Sequence, residues 1–180
     1  MKLGEKGFTL IELVIAIAII GVASGAASLA IFQTFKGIER NNNYMTVVRQ
    51  VENAGYWLSR DALMADSINA TNLTPPDFLV LTWREWDSDN KAIYHSATYS
   101  FPFEDLAGGI GKLKRTHWTQ ARGDEVALVA EHIYYAPGDP DNTTKASYVT
   151  PPPELIIRIT ALIGDARETR EYRVSRRPNF

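Results

Sequence analysis

The sequence predicts an α+β fold in which one long N-terminal helix packs on an antiparallel β-sheet. Three observations support this prediction. Residues 13–32 form a run of 20 positions without a charged side chain. The apolar residues of 44–65 then recur at the spacings of three and four that are typical of an amphipathic helix. After residue 65, short apolar segments alternate with turn signals, which indicates strands that follow one another along the sheet.

The uncharged run has the length of a membrane-spanning helix. About 20 residues that rise about 1.5 Å each cross a hydrocarbon core of about 30 Å. Lys2 and Lys6 precede the run, and Lys36 and Arg40 follow it. By the positive-inside rule, we expect the short basic leader to stay in the cytoplasm while the remainder of the chain crosses the membrane.

A secretory signal peptide and an uncleaved anchor are two alternatives for this segment. The small residues of 23–27 could serve as a signal cleavage site. Neither alternative accounts for Glu12, which lies inside the apolar run after residues 8–11. Because a carboxylate in hydrocarbon costs about 3 kcal/mol on insertion scales, Glu12 is a candidate functional residue that needs a partner.

The start of the chain carries a motif, since residues 6–13 read KGFTLIEL. With the apolar helix that follows it, this segment resembles the N-terminus of type IV prepilins, which pilins share with the pseudopilins of type II secretion and competence systems. The resemblance implies that prepilin peptidase cleaves between Gly7 and Phe8, that Phe8 is then N-methylated, and that Glu12 is the family glutamate. It also implies a type IV pilin-like fold with a cleaved leader (1–7), a hydrophobic transmembrane and filament-core helix (8–35) and a soluble α+β head (36–180).

The chemistry of Glu12 agrees with this resemblance. Cleavage after Gly7 would free an ammonium group on Phe8, and Glu12 follows four residues later on the same helix face. The carboxylate can neutralise that amine in its own chain or in a neighbouring subunit, because an unpaired charge in an apolar core is costly. We expect this pairing to help set the axial register of an assembling subunit.

Gly21 and Gly25 form a G-x-x-x-G motif in the apolar run. In membranes this spacing lets two helices approach closely, so both glycines are predicted assembly residues. Small residues are also common in membrane helices for no specific reason, which makes the motif weak on its own.

The second helix segment has a predicted core-facing stripe that consists of Tyr44, Val48, Val51, Gly55, Leu58, Ala62 and Ala65. Polar residues are expected largely off that stripe, namely Arg49, Gln50, Asn53, Arg60 and Asp61. Gly37 and the three asparagines of 41–43 leave open whether this segment is continuous with the apolar helix.

Strands are predicted at 78–83, 93–101, 113–118, 155–162 and 169–175. The pattern of 125–135 fits either a helix or a strand, and 137–153 is predicted as a loop. In the strand at 155–162, Leu155, Ile157, Ile159 and Ala161 share a face. In the last strand, Tyr172 and Val174 are expected to point inward and Arg173 outward.

The motifs of common enzymes are absent from the sequence. It contains no cysteine, which excludes disulfides, thiol catalysis and cysteine-ligated metals. His95, His117 and His132 lack the spacing of metal ligands, and neither G-x-S-x-G nor a phosphate-binding loop occurs. We therefore expect a protein that is not an enzyme and that has no cofactor.

Two loops are weak candidates for calcium, one with Asp87 and Asp89 and the other with Asp139 and Asp141. Calcium takes six to eight oxygen ligands, and neither loop has a complete spaced set. Asp and Asn clusters are more common in plain turns, which is the interpretation we favour here.

Five aromatic residues have two possible roles, and these are Trp83, Trp86, Trp118, Tyr134 and Tyr135. They pack in the core, or they form an exposed patch for a sugar, for DNA or for a partner subunit. Core packing is favoured for most of them, because aromatic side chains dominate protein cores.

The prepilin resemblance implies the location and the partners. It places the chain in the cytoplasmic membrane with an extracytoplasmic head, and later in a pilus or pseudopilus. Its expected partners are other pilins or pseudopilins, prepilin peptidase, an assembly platform protein and membrane lipid. A net charge of −2 gives no general attraction to nucleic acid, so none is predicted.

Within the family, the size, the second helix segment and the closing hairpin look most like minor pseudopilin J of type II secretion. A minor pilin for motility, adhesion or DNA uptake is an alternative. A membrane-anchored binding module that does not assemble is another.

Overall fold

A computed structural model describes residues 7, 9–71, 73, 76–139, 141–151 and 153–175. The elements found in these residues, in chain order, are α1 (Leu10–Met64), β1 (Ser67–Asn69), β2 (Asp77–Trp86), β3 (Ala92–Ser100), a 3-10 turn (Phe103–Asp105), β4 (Ile110–Thr119), β5 (Gly123–Tyr134), β6 (Lys145–Val149), β7 (Glu154–Ile163) and β8 (Ala166–Ser175). The helix is continuous through 37–43, which the sequence left open. The chain divides into two compact units, Met1–Asn42 and Asn43–Phe180, and each is described by itself.

The first unit contains residues 10–42 of α1, and its apolar side chains are uncovered. Among its described residues none is buried, and its large apolar side chains are 51–81% exposed. The hydroxyls of Ser28 and Thr34 donate to the carbonyls of Ser24 and Ala30 at 2.9 Å, so the helix satisfies them internally. The helix is long and apolar enough to cross a membrane.

The second unit packs residues 43–64 of α1 on the sheet. The helix residues buried there are Val47, Val51, Ala54, Gly55, Leu58, Asp61 and Ala62. The predicted stripe is therefore confirmed along most of its length. It is wrong at Tyr44, which is 48% exposed, and at Val48, which is only half-buried while its neighbour Val47 is fully buried.

The eight strands form one antiparallel sheet. Their order is β1-β2-β3-β4-β5-β7-β6, and β8 also pairs with β7. Strand β7 pairs with three others, with β6 at residues 154–158, with β5 at Ala161 and with β8 along its whole length. Its alternating residues Leu155, Ile157, Ile159 and Ala161 are all fully buried. The predicted α+β class is confirmed, with one long N-terminal helix and an antiparallel sheet, and it is consistent with a type IV pilin-like fold.

Two predictions about the last third of the chain are corrected or resolved by the structure. The ambiguous segment 125–135 is a strand, β5. The predicted loop 137–153 contains the strand β6, so that prediction was wrong at 145–149. Strand β6 forms because Ala146 and Tyr148 alternate with polar residues and pack against the core beside β7.

A buried carboxylate ties the helix to the sheet. Asp61 is fully buried, although it was expected off the core stripe. The hydroxyl of Tyr99 donates to its Oδ2 at 2.7 Å, and Arg115 donates from Nε at 2.6 Å and from Nη2 to Oδ1 at 3.2 Å. The guanidinium of Arg115 also lies 5.3 Å from the ring centre of Trp57. The prediction failed because helical spacing alone does not show that two strands supply partners for a charge.

The environment of Asp61 keeps the Tyr99 phenol protonated. Burial, and then the neighbouring carboxylate, raise the pKa of Tyr99 well above its ordinary value. A phenol in that state remains a hydrogen-bond donor. The buried carboxylate is therefore satisfied from both β3 and β4.

Strand β8 meets the helix where α1 has a glycine. A Cβ atom on Gly55 would overlap Cζ of Tyr172. The Tyr172 hydroxyl donates to the carbonyl of Val51 at 3.2 Å, and Arg170 pairs with Glu52 at 2.8 Å. Glycine at position 55 is thus what lets the aromatic ring lie against the helix.

We expect Gly55→Ala to destabilise the second unit by about 1–3 kcal/mol, the usual cost of overpacking. In a Tyr172→Ala background, the same change should stabilise it by up to about 1 kcal/mol, because alanine forms helices better than glycine. Urea unfolding of a fragment that starts at Asn43 measures both effects, since that fragment keeps every buried side chain of the described core. If Gly55→Ala has the same sign in both backgrounds, the Tyr172 ring is not what excludes a side chain at position 55.

Candidate functional site

Thr9 and Glu12 cap the N-terminus of α1. Oε2 of Glu12 accepts the backbone N–H of Thr9 at 3.0 Å and its hydroxyl at 2.8 Å. In return, the N–H of Glu12 donates to Oγ1 of Thr9 at 3.4 Å. This reciprocal arrangement is a capping box, which satisfies donors that the first turn of a helix leaves free. Thr9 was missing from the predicted site, although T-x-x-E before an apolar run is the sequence signature of this cap.

The cap gives Glu12 a partner inside its own chain. Phe8, the residue with the predicted free amine, lies outside the described residues, so the pairing of that amine with Glu12 stays a prediction. Both hydrogen bonds from Thr9 go to Oε2, and Oε1 accepts none from the described residues. One carboxylate oxygen is therefore open to a second donor, such as an ammonium group.

The predicted assembly glycines lie on open helix surface. At Gly21 and Gly25, no atom of a described residue outside the local helix backbone lies within 4 Å of where a Cβ atom would be, and the same holds at the processing residue Gly7, before the helix. A helix from another molecule would meet no side chain at Gly21 or Gly25. Their role in packing stays a prediction.

The helix surface that follows Glu12 in the chain is apolar and uncharged. No charged residue occurs at positions 13–35. An exposed apolar surface of this size is stable only against lipid or against other apolar groups. The arrangement therefore suits a membrane in one state and packed helices in another.

The two candidate calcium loops use their carboxylates locally. Oδ1 of Asp87 accepts the backbone N–H groups of Asp89 and Lys91 at 2.9 and 2.8 Å, which is a turn that the side chain stabilises. Asp139 accepts the amide of Asn142 with both oxygens at 3.1 Å. In the part of the chain that the structure describes, no group of three or more His, Asp or Glu side chains is placed to hold a metal ion.

Two histidines come together on adjacent strands. Nδ1 of His95 lies 3.3 Å from Nε2 of His117, and the carboxylate of Glu85 lies 3.5 Å from the other nitrogen of His95. The indole of Trp83 lies parallel to both imidazoles, at 5.2 and 5.5 Å between ring centres. Sequence spacing does not reveal this pair, because it does not show that β3 and β4 are neighbours. His132 is not part of the pair.

The five aromatic candidates divide between the core and the surface. Trp83 is 4% exposed, and Tyr135 packs against the core beside Phe101. Trp86 and Trp118 are 64% and 40% exposed. Core packing, which was expected for most of the five, is therefore found for Trp83 and Tyr135 but not for these two tryptophans.

Comparison with known proteins agrees with the N-terminal motif. Residues 2–28 match a family model described as the prokaryotic N-terminal methylation motif. The match supports a type IV pilin-like N-terminus and indicates a substrate of prepilin peptidase. With the long apolar helix, it fits anchoring in the inner membrane. No curated protein and no solved structure matches the chain.

The histidine pair predicts that acid destabilises the second unit. Burial, and then the charge of Arg115, lower the pKa of His117 below its ordinary value of about 6.5. As the pH falls toward about 6.5, His117 therefore takes up a proton more readily in the unfolded chain than in the folded one, and the folded state loses stability. We expect the urea midpoint of the fragment from Asn43 to fall between about pH 7.5 and about pH 5.5, and to fall less in His117→Gln.

The matched control for this prediction is His132→Asn, which removes a histidine outside the pair. Asparagine tolerates the left-handed backbone of that position, where φ is 58°. His132→Asn should keep the pH dependence of the unmodified fragment. A His117→Gln fragment that loses as much stability in acid as the unmodified one would contradict the assignment.

Proposed function

We propose that the chain is a structural, non-catalytic minor pseudopilin of a type II secretion-type filament. The observation that carries this proposal is the first part of α1, which is capped at Thr9 and Glu12, uncharged at 13–35 and uncovered. The match to the methylation motif, residues 2–28, includes the cap and more than half of this uncharged run. A helix of this kind needs an apolar environment, and a filament core of equivalent helices provides one.

The proposed route has two states of the same helix. The precursor lies in the cytoplasmic membrane as a single span, with its C-terminal portion outside. Prepilin peptidase cleaves between Gly7 and Phe8, and Phe8 is methylated. The helix then leaves lipid and packs against its neighbours, with a platform protein as the assembly partner.

The transfer is compatible with the polar groups of the helix. The hydroxyls of Ser28 and Thr34 donate to carbonyls of their own helix. They therefore need no hydrogen-bond partner from lipid or from a neighbouring helix. Glycines at positions 21 and 25 leave room for close contact with a neighbour. The free oxygen of Glu12 offers an acceptor for the new N-terminal amine.

A pseudopilin rather than a pilin is favoured by the size of the chain, by the second helix segment and by the closing hairpin of β7 and β8. Copurification separates these classes. The protein should copurify with the other minor subunits of a secretion filament. Copurification with pilus subunits alone would instead assign it to a pilus.

Intact-mass measurement after co-expression with prepilin peptidase tests the proposed processing. The expected product is the chain 8–180 with one added methyl group. A Gly7→Leu variant and a culture without the peptidase should both give the unprocessed mass. A mature protein that still begins at Met1, or that starts well after the apolar run, contradicts the proposal.

Glu12→Val should leave membrane insertion and cleavage intact but reduce incorporation into filaments about ten-fold, because the amine loses its partner in an apolar core. The filament fraction of sheared cells, compared with the membrane fraction, measures this. Thr9→Val is the matched control, since it removes the capping hydroxyl but keeps the carboxylate; loss of such a cap costs only about 0.5–2 kcal/mol. Normal incorporation of Glu12→Val would contradict a role for the charge.

A further inference from the structure

The face of the sheet that points away from the helix contains a cavity. It has a volume of about 490 Å³, a size that suits a small ligand. The residues of this outer-face cavity that the argument uses are Asp66, Thr82, Arg84, Tyr94, Ser96 and Trp118. None of them takes part in the N-terminal motif or in the uncovered helix.

Strand register places these side chains together on a rigid surface. Thr82 pairs with Ser96, and Ser96 pairs with Trp118, across β2, β3 and β4. Arg84 pairs with Tyr94 two residues further along. Since side chains alternate along a strand, all five lie on the face opposite to the buried one.

Three exposed aromatic rings follow a diagonal across that face. Trp118 lies on β4, Tyr94 lies one strand over and two residues along, and Trp86 lies one strand and two residues further. They are 40%, 52% and 64% exposed. Diagonal neighbours in an antiparallel sheet are about 7–8 Å apart. The rings thus form an evenly spaced row rather than one isolated patch.

Of the polar side chains beside the aromatic row, one is held by hydrogen bonds to another residue, and three have hydroxyls without such a bond to a described residue. Arg84 donates its backbone N–H and its Nε to Oδ2 of Asp66 at 3.0 and 3.2 Å, which holds that side chain in place. The hydroxyls of Thr82, Ser96 and Tyr94 form no hydrogen bond to any described residue. They are available as donors and acceptors for a ligand.

The charges of the cavity argue against an anionic ligand. Arg84 is paired with Asp66, and Asp124 lies opposite Trp118 on the neighbouring strand. Nucleic acid needs excess positive charge, which this cavity does not provide. A wholly apolar partner would cover the free hydroxyls without bonding them, and each such group costs free energy.

From this combination we propose that the outer-face cavity and the aromatic row bind a neutral, linear oligosaccharide. The C–H groups on one face of a sugar ring can rest on the negative face of an aromatic ring, and the sugar hydroxyls can bond to Thr82 and Ser96. A row of three rings suits a chain of linked sugars better than a single sugar. This site goes beyond the proposed assembly function, which uses other residues.

Saturation-transfer NMR tests the proposal with the full chain in a detergent that has no sugar headgroup. The probes are cellohexaose, maltohexaose and the hexamer of β-1,4-linked N-acetylglucosamine. We expect saturation of the ring C–H protons of at least one probe. The double variant Tyr94→Ala/Trp118→Ala should weaken that binding at least about ten-fold.

Two control variants make the result specific. Tyr56→Ala removes a tyrosine of similar exposure, 61%, on α1 and should leave the affinity unchanged. Tyr94→Phe keeps the ring, so it should retain most of the binding even if an alanine variant were to fold poorly.

No saturation transfer with any of the three probes, or equal binding by the double variant, would overturn the proposal. Tighter binding of a single-stranded oligonucleotide than of every sugar would also overturn it. Cleavage and filament incorporation do not involve these residues, so this test fails or succeeds independently of the proposed function.

Discussion

An uncharged helix surface with no cover is the constraint on which the rest of this chain depends. Residues 13–35 carry no charge, and the described part of the first unit buries none of its side chains. The hydrophobic effect makes such a surface unstable in water over a helix of this length. Every stable state of the chain must therefore supply lipid or another apolar surface to these residues.

The apolar side chains of α1 are uncovered in the first unit and buried in the second. Up to residue 42 the apolar side chains of the helix are exposed, whereas Val47, Val51, Leu58 and Ala62 are buried against the sheet. The second unit can therefore keep its own core whatever happens to the first. The proposed role in a filament requires this independence, because the helix would change surroundings while the remainder stays folded.

Two of the carboxylates of α1, Glu12 and Asp61, show how the partners of a charged side chain decide its role. Glu12 is exposed and takes donors from Thr9, three residues earlier, and its second oxygen accepts no hydrogen bond from a described residue. Asp61 is buried and takes donors from Tyr99 and Arg115, far away in the sequence, which leaves it satisfied. An open acceptor at a helix start is available for recognition, but a closed network in a core fixes the packing of helix on sheet.

Much of this could be predicted from the sequence, where the signal was local. The apolar run, the alternation in β7 and the motif at 6–13 each depend on neighbouring residues, and the structure confirms the helix and the strand. What the sequence did not reveal depends on distant pairing: Asp61 was expected off the core stripe, and the spacing of His95 and His117 does not show that their side chains meet. The short strand β6 was also missed, because the alternation of Ala146 and Tyr148 is too short a signal without the pairing to β7.

The same strands carry the core on one face and the proposed ligand site on the other, and a single residue separates the two. On β2, Trp83 stacks with the histidine pair inside, while Arg84 lies outside beside Tyr94. A shift of one residue in register would exchange these faces, exposing the core and burying the charges. The buried rings and the Asp61 network therefore do more than hold the fold. Because they fix the register of β2, β3 and β4, they also determine which aromatic side chains reach the surface and how far apart those side chains stand.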